Sequence, residues 1–149
     1  MLTLNRCNGT DPTFVALTQA LDRELGERYG TQMDFYGAFN LSSDVEHALY
    51  AAQDGEPVGC GCFKPFSEGT IEMKRVFVRS DQRGKGVARE LMRTLEAWAR
   101  ELGYRAAVLE TGVLQPDAIR LYEAAGYERI PNYPPYEGVA ESICYQKTF

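Results

Sequence analysis

The sequence predicts an α/β fold built on a mixed, mostly antiparallel sheet with a central parallel pair, flanked by helices. Three observations carry this. The β-type runs His47–Gln53, Val58–Phe63 and Thr70–Val78 are separated only by short turns, Asp54-Gly55-Glu56-Pro57 and Ser67-Glu68-Gly69, which join antiparallel neighbours. The third run leads into a strongly amphipathic helix and then a buried run, Ala106–Thr111, a crossover that makes its two strands parallel. Helical patterns occupy the start and the late part of the chain, where they can cover both faces of such a sheet.

Each element has its own local reason. Leu2–Arg6 reads as a short strand, and Asp11-Pro12 as an N-cap followed by proline at the first helical position. Phe14, Leu17, Leu21 and Leu25 then recur at helical spacing up to Gly26. From Tyr29 to Ser43 the pattern weakens: Phe35, Tyr36 and Phe39 lie among Gly, Asn and Ser, which predicts a short helix or an irregular segment. After the three strands, Val87, Leu91, Leu95, Trp98 and Leu102 form one apolar stripe that stops at Gly103. Pro116 opens a further helix over Ala118–Ala125, closed by Gly126, and a final strand runs from Ser142 to Thr148 after the proline-rich aromatic loop Ile130–Gly138.

The chain has 149 residues, 44% hydrophobic and 25% charged, enough for the core of one domain over residues 1–149 but cramped for two. No apolar run approaches a membrane span, and the first ten residues lack the apolar region of a secretory signal, so a cytoplasmic location is expected. A net charge of −5 argues against nucleic acid and anionic membrane as partners. Cys7, Cys60, Cys62 and Cys144 show no metal-ligand spacing, so no metal is expected. His47, the sole histidine, has no nucleophile-elbow motif to serve, and it reads as a surface or core residue.

The chemistry is concentrated in Val76-Phe-Val-Arg-Ser-Asp-Gln-Arg-Gly-Lys-Gly-Val-Ala88, where a β-rich run empties into a basic glycine turn that opens a helix. Backbone N–H groups at a helix N-terminus lack intrahelical partners and lie at the positive end of the helix dipole, which makes a cradle for a diphosphate. Gly84 and Gly86 allow close approach, and Arg83 and Lys85 add charge. Two familiar phosphate loops are excluded. A Walker loop needs Ser or Thr after Gly-Lys, where this chain has Gly86, and a dinucleotide fingerprint needs a third glycine where it has Arg89.

The pattern Arg83-x-x-Gly86-x-Ala88 resembles the coenzyme A pyrophosphate loop of the GNAT acyltransferase superfamily, and the element order resembles the GNAT fold continuously from about Ala48 to Phe149. The resemblance implies acetyl-CoA as co-substrate. It assigns the diphosphate to the amides of Arg83, Gly84, Lys85, Gly86, Val87 and Ala88, and pairs the pantetheine arm with Phe77 and Val78. Arg79 and Arg89 are further candidates for the outer phosphates, or plain surface residues.

Acyl transfer to an amine also needs a base for the ammonium and an acid for the departing thiolate. Glu72, eleven residues before the motif, resembles the general base of some members; the alternative is a salt-bridged strand carboxylate paired with Lys74 or Arg75. Glu110, near the end of the parallel strand, is a rival, and a water is a third option. Tyr122, in Ala118-Ile119-Arg120-Leu121-Tyr122-Glu123-Ala124-Ala125-Gly126-Tyr127, resembles the helical tyrosine that meets the coenzyme sulfur and implies a general acid; packing is the other reading. Asn132, Tyr133 and Tyr136 lie in a proline-rich loop that either shapes an acceptor pocket or is an ordinary ordered loop.

The expected activity is acetyl transfer to a primary amine by direct attack in a ternary complex, with a non-catalytic acyl-CoA sensing module as the alternative. The acceptor, small molecule or protein, has no readable motif. Exposed sheet edges leave a homodimer open.

Overall fold

The computed structural model describes residues 1–29 and 44–149, and the aromatic segment Phe35, Tyr36 and Phe39 lies outside them. The described strands are β1 (Leu2–Cys7), β2 (His47–Gln53), β3 (Glu56–Ser67), β4 (Thr70–Val78), β5 (Ala106–Gly112), β6 (Glu128–Ile130) and β7 (Ser142–Thr148). They form one sheet in the order β1-β2-β3-β4-β5-β7-β6. All neighbours are antiparallel except β4 and β5, the pair joined by the helical crossover. Asp54 and Gly55 both take positive φ, 51° and 86°, the geometry of the tight hairpin turn between β2 and β3.

Helix α1 (Pro12–Tyr29) begins where Asp11 accepts hydrogen bonds from the amides of Thr13 and Phe14 at 2.9 and 3.1 Å, so its carboxylate caps the first turn. The helix continues past Gly26, the expected stop. Gly26 does not take the left-handed conformation of a C-cap, so nothing in its backbone ends the helix. Helix α2 (Val87–Glu101) and helix α3 (Pro116–Ala124) follow the apolar stripes in the sequence, except that Leu102, expected on the α2 stripe, is its exposed C-cap.

Two cores result, one on each face of the sheet. Leu91, Met92 and Leu95 of α2 pack with Leu49, Phe63 and Ile71 on one face, where Tyr122 and Tyr127 also lie. Burying a leucine of this kind stabilises by roughly 1.5–3 kcal/mol. Phe14, Leu17, Leu21 and Leu25 of α1 pack on the other face with Cys60, Cys62, Phe77, Val108 and the loop tyrosines Tyr133 and Tyr136. The three-residue β6 was not legible in the sequence, because a run that short shows no alternation.

Candidate active site

The site begins where the sheet comes apart. β4 and β5 are in register only at Thr70, Ile71 and Glu72, opposite Ala106, Ala107 and Val108, although β4 continues to Val78 and β5 to Gly112. β4 also carries a bulge: the interval Cys60–Cys62 on β3 lies opposite the longer interval Lys74–Phe77 on β4. Arg75 sits in it with φ at 63°, a conformation a non-glycine residue holds only when its surroundings fix it. Those surroundings are α1, whose Thr18 carbonyl and Asp22 carboxylate accept from the Arg75 guanidinium at 3.0 and 2.9 Å.

Beyond the split, Arg79 leads through a single 3-10 turn (Ser80–Gln82) into the glycine turn. Gly84 and Gly86 take φ of 80° and 82°, and a Cβ at either would meet nothing within 4 Å. They are needed for backbone conformation and not for space. Gly86 is the N-cap of α2, with no side-chain cap among the described residues. The first amide of α2 to find an intrahelical carbonyl is that of Glu90, bonded to Gly86 at 3.1 Å, which leaves the amides of the preceding turn for a ligand.

Arg83 serves this turn differently from the expectation that its charge meets the ligand. Its Nε donates to the Val78 carbonyl at 2.9 Å and its Nη2 to both carboxylate oxygens of Glu24 on α1, at 2.8 and 2.7 Å. The guanidinium is thus engaged in tying the turn to the cofactor-side strand and to α1. The exposed Lys85 bonds Gln82 at 3.3 Å and does not line the cleft. Arg79 is engaged by Glu56 and Asp81, whereas Arg89 does line the cleft.

The cleft itself has a volume of about 670 Å³. Phe77, Val78, Arg83, Gly84, Gly86, Val87, Ala88 and Tyr122 all line it, so most of the cofactor candidates and the candidate acid converge on one space. Leu21 and Glu24 of α1 close one side, and Ala118 and Leu121 of α3 the other. Tyr122 is buried among Tyr127 and Tyr145, with ring centroids 6.1 and 6.3 Å away, yet its hydroxyl makes no hydrogen bond among the described residues. Burial, and to a lesser extent the nearby Glu110 carboxylate, push its pKa above that of an ordinary phenol, so it stays protonated near neutrality.

Like Glu110, Glu72 does not line the cleft. It is buried on the β4 floor, where the Tyr133 hydroxyl donates to its Oε2 at 2.8 Å and the Lys74 ammonium lies 3.9 Å from its Oε1. Lys74 is held below its usual range by burial, against the pull of Glu72. Glu110 stands two residues beyond Val108, the register partner of Glu72, and it is only half-buried. The Ser142 hydroxyl donates to its Oε2 at 2.7 Å. Burial pushes the Glu110 carboxyl up to about 7; the Ser142 bond and Lys74 pull it down, and Glu72 pushes it up.

The loop that follows β6 holds these donors in place. The Asn132 amide donates to the carbonyls of Tyr136, Val139 and Ser142 at 3.2, 3.2 and 3.0 Å. It thereby fixes the segment that delivers Tyr133 to Glu72 and Ser142 to Glu110. No local pattern signals Ser142 or Glu24 as site residues, because each meets its partner from far away along the chain.

His47 lies away from this site, stacked on Phe63 at 5.0 Å and edge-on to Trp98 at 5.0 Å. Cys60 and Cys62 are buried, and burial raises both thiols, that of Cys62 to about 12, so neither presents a thiolate near neutrality. Among the described residues no cluster of His, Cys, Asp and Glu has the arrangement of a metal site, and no helix is long and apolar enough to cross a membrane.

A split parallel pair, a bulged central strand and a glycine turn opening an uncapped helix surround one cleft, and comparison with known proteins gives the class as an acyl-CoA-dependent N-acetyltransferase. The Acetyltransferase (GNAT) family profile matches residues 14–127. The chain is 34% identical over 137 residues to the IAA acetyltransferase of Azospirillum brasilense, covering 91% of this chain and 90% of that one. A crystal structure from Klebsiella pneumoniae, classed as an acyl-CoA N-acyltransferase, superimposes with a TM-score of 0.84 at 33% identity over 99% of this chain and 97% of its own. Salmonella typhimurium yncA, assigned as an acetyltransferase and solved with acetyl-CoA, shares the fold with a TM-score of 0.72 at 18% identity, over 99% and 94% of the two chains. The chain belongs to the acetyltransferase (GNAT) family.

Proposed function

We propose that the enzyme, a single domain over residues 1–149, transfers the acetyl group of acetyl-CoA to a primary amine by direct attack within a ternary complex. The observation that carries this is the convergence of the Phe77–Val78 strand, the Gly84–Ala88 turn and the Tyr122 side chain on one cleft. The amides of residues 83–88 would receive the diphosphate, with Lys85 contributing its backbone alone. The edge of β4 freed by the split would pair with the pantetheine arm like an added strand. The Tyr122 hydroxyl, protonated and with no hydrogen bond among the described residues, would give its proton to the departing thiolate.

A carboxylate must take the proton of the acceptor ammonium, whose pKa near 10 leaves it mostly charged at neutrality. Glu72 and Glu110 share the floor on which that amine would arrive. No metal and no acylated cysteine enters this scheme, and a cytoplasmic site of action accords with it. The acceptor, small molecule or protein, is an amine. Its identity is open to a panel of primary amines incubated with acetyl-CoA, read by thiol release and by mass gain of one acetyl group. Turnover with at least one amine is expected. Tight binding of acetyl-CoA with no turnover across a broad panel would favour an acyl-CoA sensor.

A further inference from the structure

We propose that Glu110 is the residue that accepts the proton of the acceptor ammonium, and that Glu72, although it resembles the general base of some family members, is a structural carboxylate of the β4 floor held by Tyr133. This rests on the acetyl-transfer reading above and assigns a role within it.

The two carboxylates differ in what they have left to offer. Glu72 is buried, with one oxygen receiving the Tyr133 hydroxyl at 2.8 Å and the other facing Lys74 at 3.9 Å. A proton landing on it would weaken its attraction to the Lys74 ammonium and compete with the Tyr133 bond. Glu110 has only its Oε2 engaged, by Ser142 at 2.7 Å. Its Oε1 makes no hydrogen bond among the described residues, and the residue is only half-buried. That oxygen can take up a proton and release it again between turnovers.

Position points the same way. Glu110 is the carboxylate whose charge is felt by Tyr122, the cleft-lining phenol, whereas Glu72 exerts no such resolved influence on that side chain. Glu110 thus lies within electrostatic reach of the candidate acid, although neither carboxylate is among the residues that line the cleft. Its proton affinity near neutrality accords with this use, since a base that is half-ionised at working pH both accepts and sheds protons readily.

The step balances as follows. Glu110 Oε1 takes one proton from the ammonium, and the freed nitrogen lone pair attacks the acetyl carbonyl carbon. The C–N bond forms, the C–S bond breaks, and the sulfur takes the Tyr122 proton. The second proton lost by the nitrogen restores Tyr122, and Glu110 returns its own to solvent. The sum is ammonium plus thioester giving amide, thiol and one proton.

Four groups surround Glu110: Glu72 and Lys74 on β4, Tyr122 on α3 and Cys144 on β7, in addition to the Ser142 donor. Their signs make the assignment testable by pH profile. Using an amine found to be turned over by the wild-type enzyme, with acetyl-CoA saturating, kcat should rise with pH through a limb near 7. Glu110→Gln should lose that limb, and kcat near pH 8 should fall about a hundredfold or more. Ser142→Ala removes a bond that favours the ionised carboxylate, so the limb should move to higher pH. Glu72→Gln removes a like charge, so the limb should survive and move to lower pH.

A limb that persists in Glu110→Gln, or one that vanishes in Glu72→Gln, overturns the assignment while leaving acetyl transfer intact. Absence of wild-type turnover with every amine overturns acetyl transfer itself. Retained acetyl-CoA affinity by calorimetry checks that each variant is folded. Should Glu110→Gln not fold, Ser142→Ala decides alone: an unmoved limb overturns the proposal.

Discussion

Arg83 donates to both carboxylate oxygens of Glu24 across the side of the cleft, at 2.8 and 2.7 Å, while its Nε holds the carbonyl of Val78. The most conspicuous charge of the phosphate-loop motif is thereby an internal tie between α1, the end of β4 and the turn. In the proposed complex the diphosphate would instead meet the backbone amides of the turn and the cleft-lining Arg89.

Arg83→Gln should therefore leave the KM for acetyl-CoA within about threefold, since the turn's amides remain, while lowering stability by roughly 1 kcal/mol for a partly exposed bidentate pair. Urea unfolding and steady-state kinetics check both halves. A tenfold or greater rise in KM with little change in stability would instead place the guanidinium on the phosphates.

Alanine at Gly84 or Gly86 should do the reverse. Neither Cβ would collide with anything, but a φ near 80° costs a non-glycine residue about 1–2 kcal/mol. The chain can relieve that strain by relaxing the turn, which misdirects the amides. The expected outcome is a KM for acetyl-CoA raised several-fold to tenfold, with a modest drop in unfolding midpoint.

Tyr122→Phe isolates the hydroxyl. Because that oxygen has no hydrogen bond among the described residues, stability should change by less than about 0.5 kcal/mol. If the hydroxyl protonates the thiolate, kcat should fall roughly 10- to 100-fold with the KM for acetyl-CoA nearly unchanged. A kcat within twofold of wild type would reduce Tyr122 to a packing residue.

Stability should itself depend on pH through Glu110. Its carboxyl is raised from 4.5 to about 7 by burial, so between those values the folded state holds a proton that the unfolded chain has released. Unfolding free energy then declines as pH rises through that window and levels off above it. Glu110→Gln should flatten this slope and make the protein more stable than wild type near pH 8, by on the order of 2 kcal/mol after allowing for partial exposure. Thermal melts across pH 4 to 8 measure it. A wild-type slope of opposite sign, with Glu110→Gln unchanged from it, would contradict the burial argument.

The legibility of the chain in sequence follows the range of the forces involved. The glycine turn, the α2 stripe from Val87 to Trp98 and the Asp54-Gly55 hairpin are local features, and each was readable because propensity and pattern agree within a few residues. The β4–α2–β5 crossover was readable because handedness and connection length leave one arrangement. The bulge at Arg75 was not, since nothing in its neighbourhood favours a positive φ; that conformation is imposed by Thr18 and Asp22 on α1. The same holds for the acceptor floor. Glu72 and Glu110 were visible as candidates, but what distinguishes them, Tyr133 on one and Ser142 on the other, is delivered by a loop fixed through Asn132.

The claim on which everything else depends is that the turn before α2 grips the diphosphate of acetyl-CoA. Amide chemical-shift mapping of the isotopically labelled protein during titration with acetyl-CoA tests it most directly. The largest changes should fall on Gly84, Gly86, Val87 and Ala88, with a second group at Phe77 and Val78. Saturable binding that leaves those amides unshifted and perturbs another face of the sheet would contradict it.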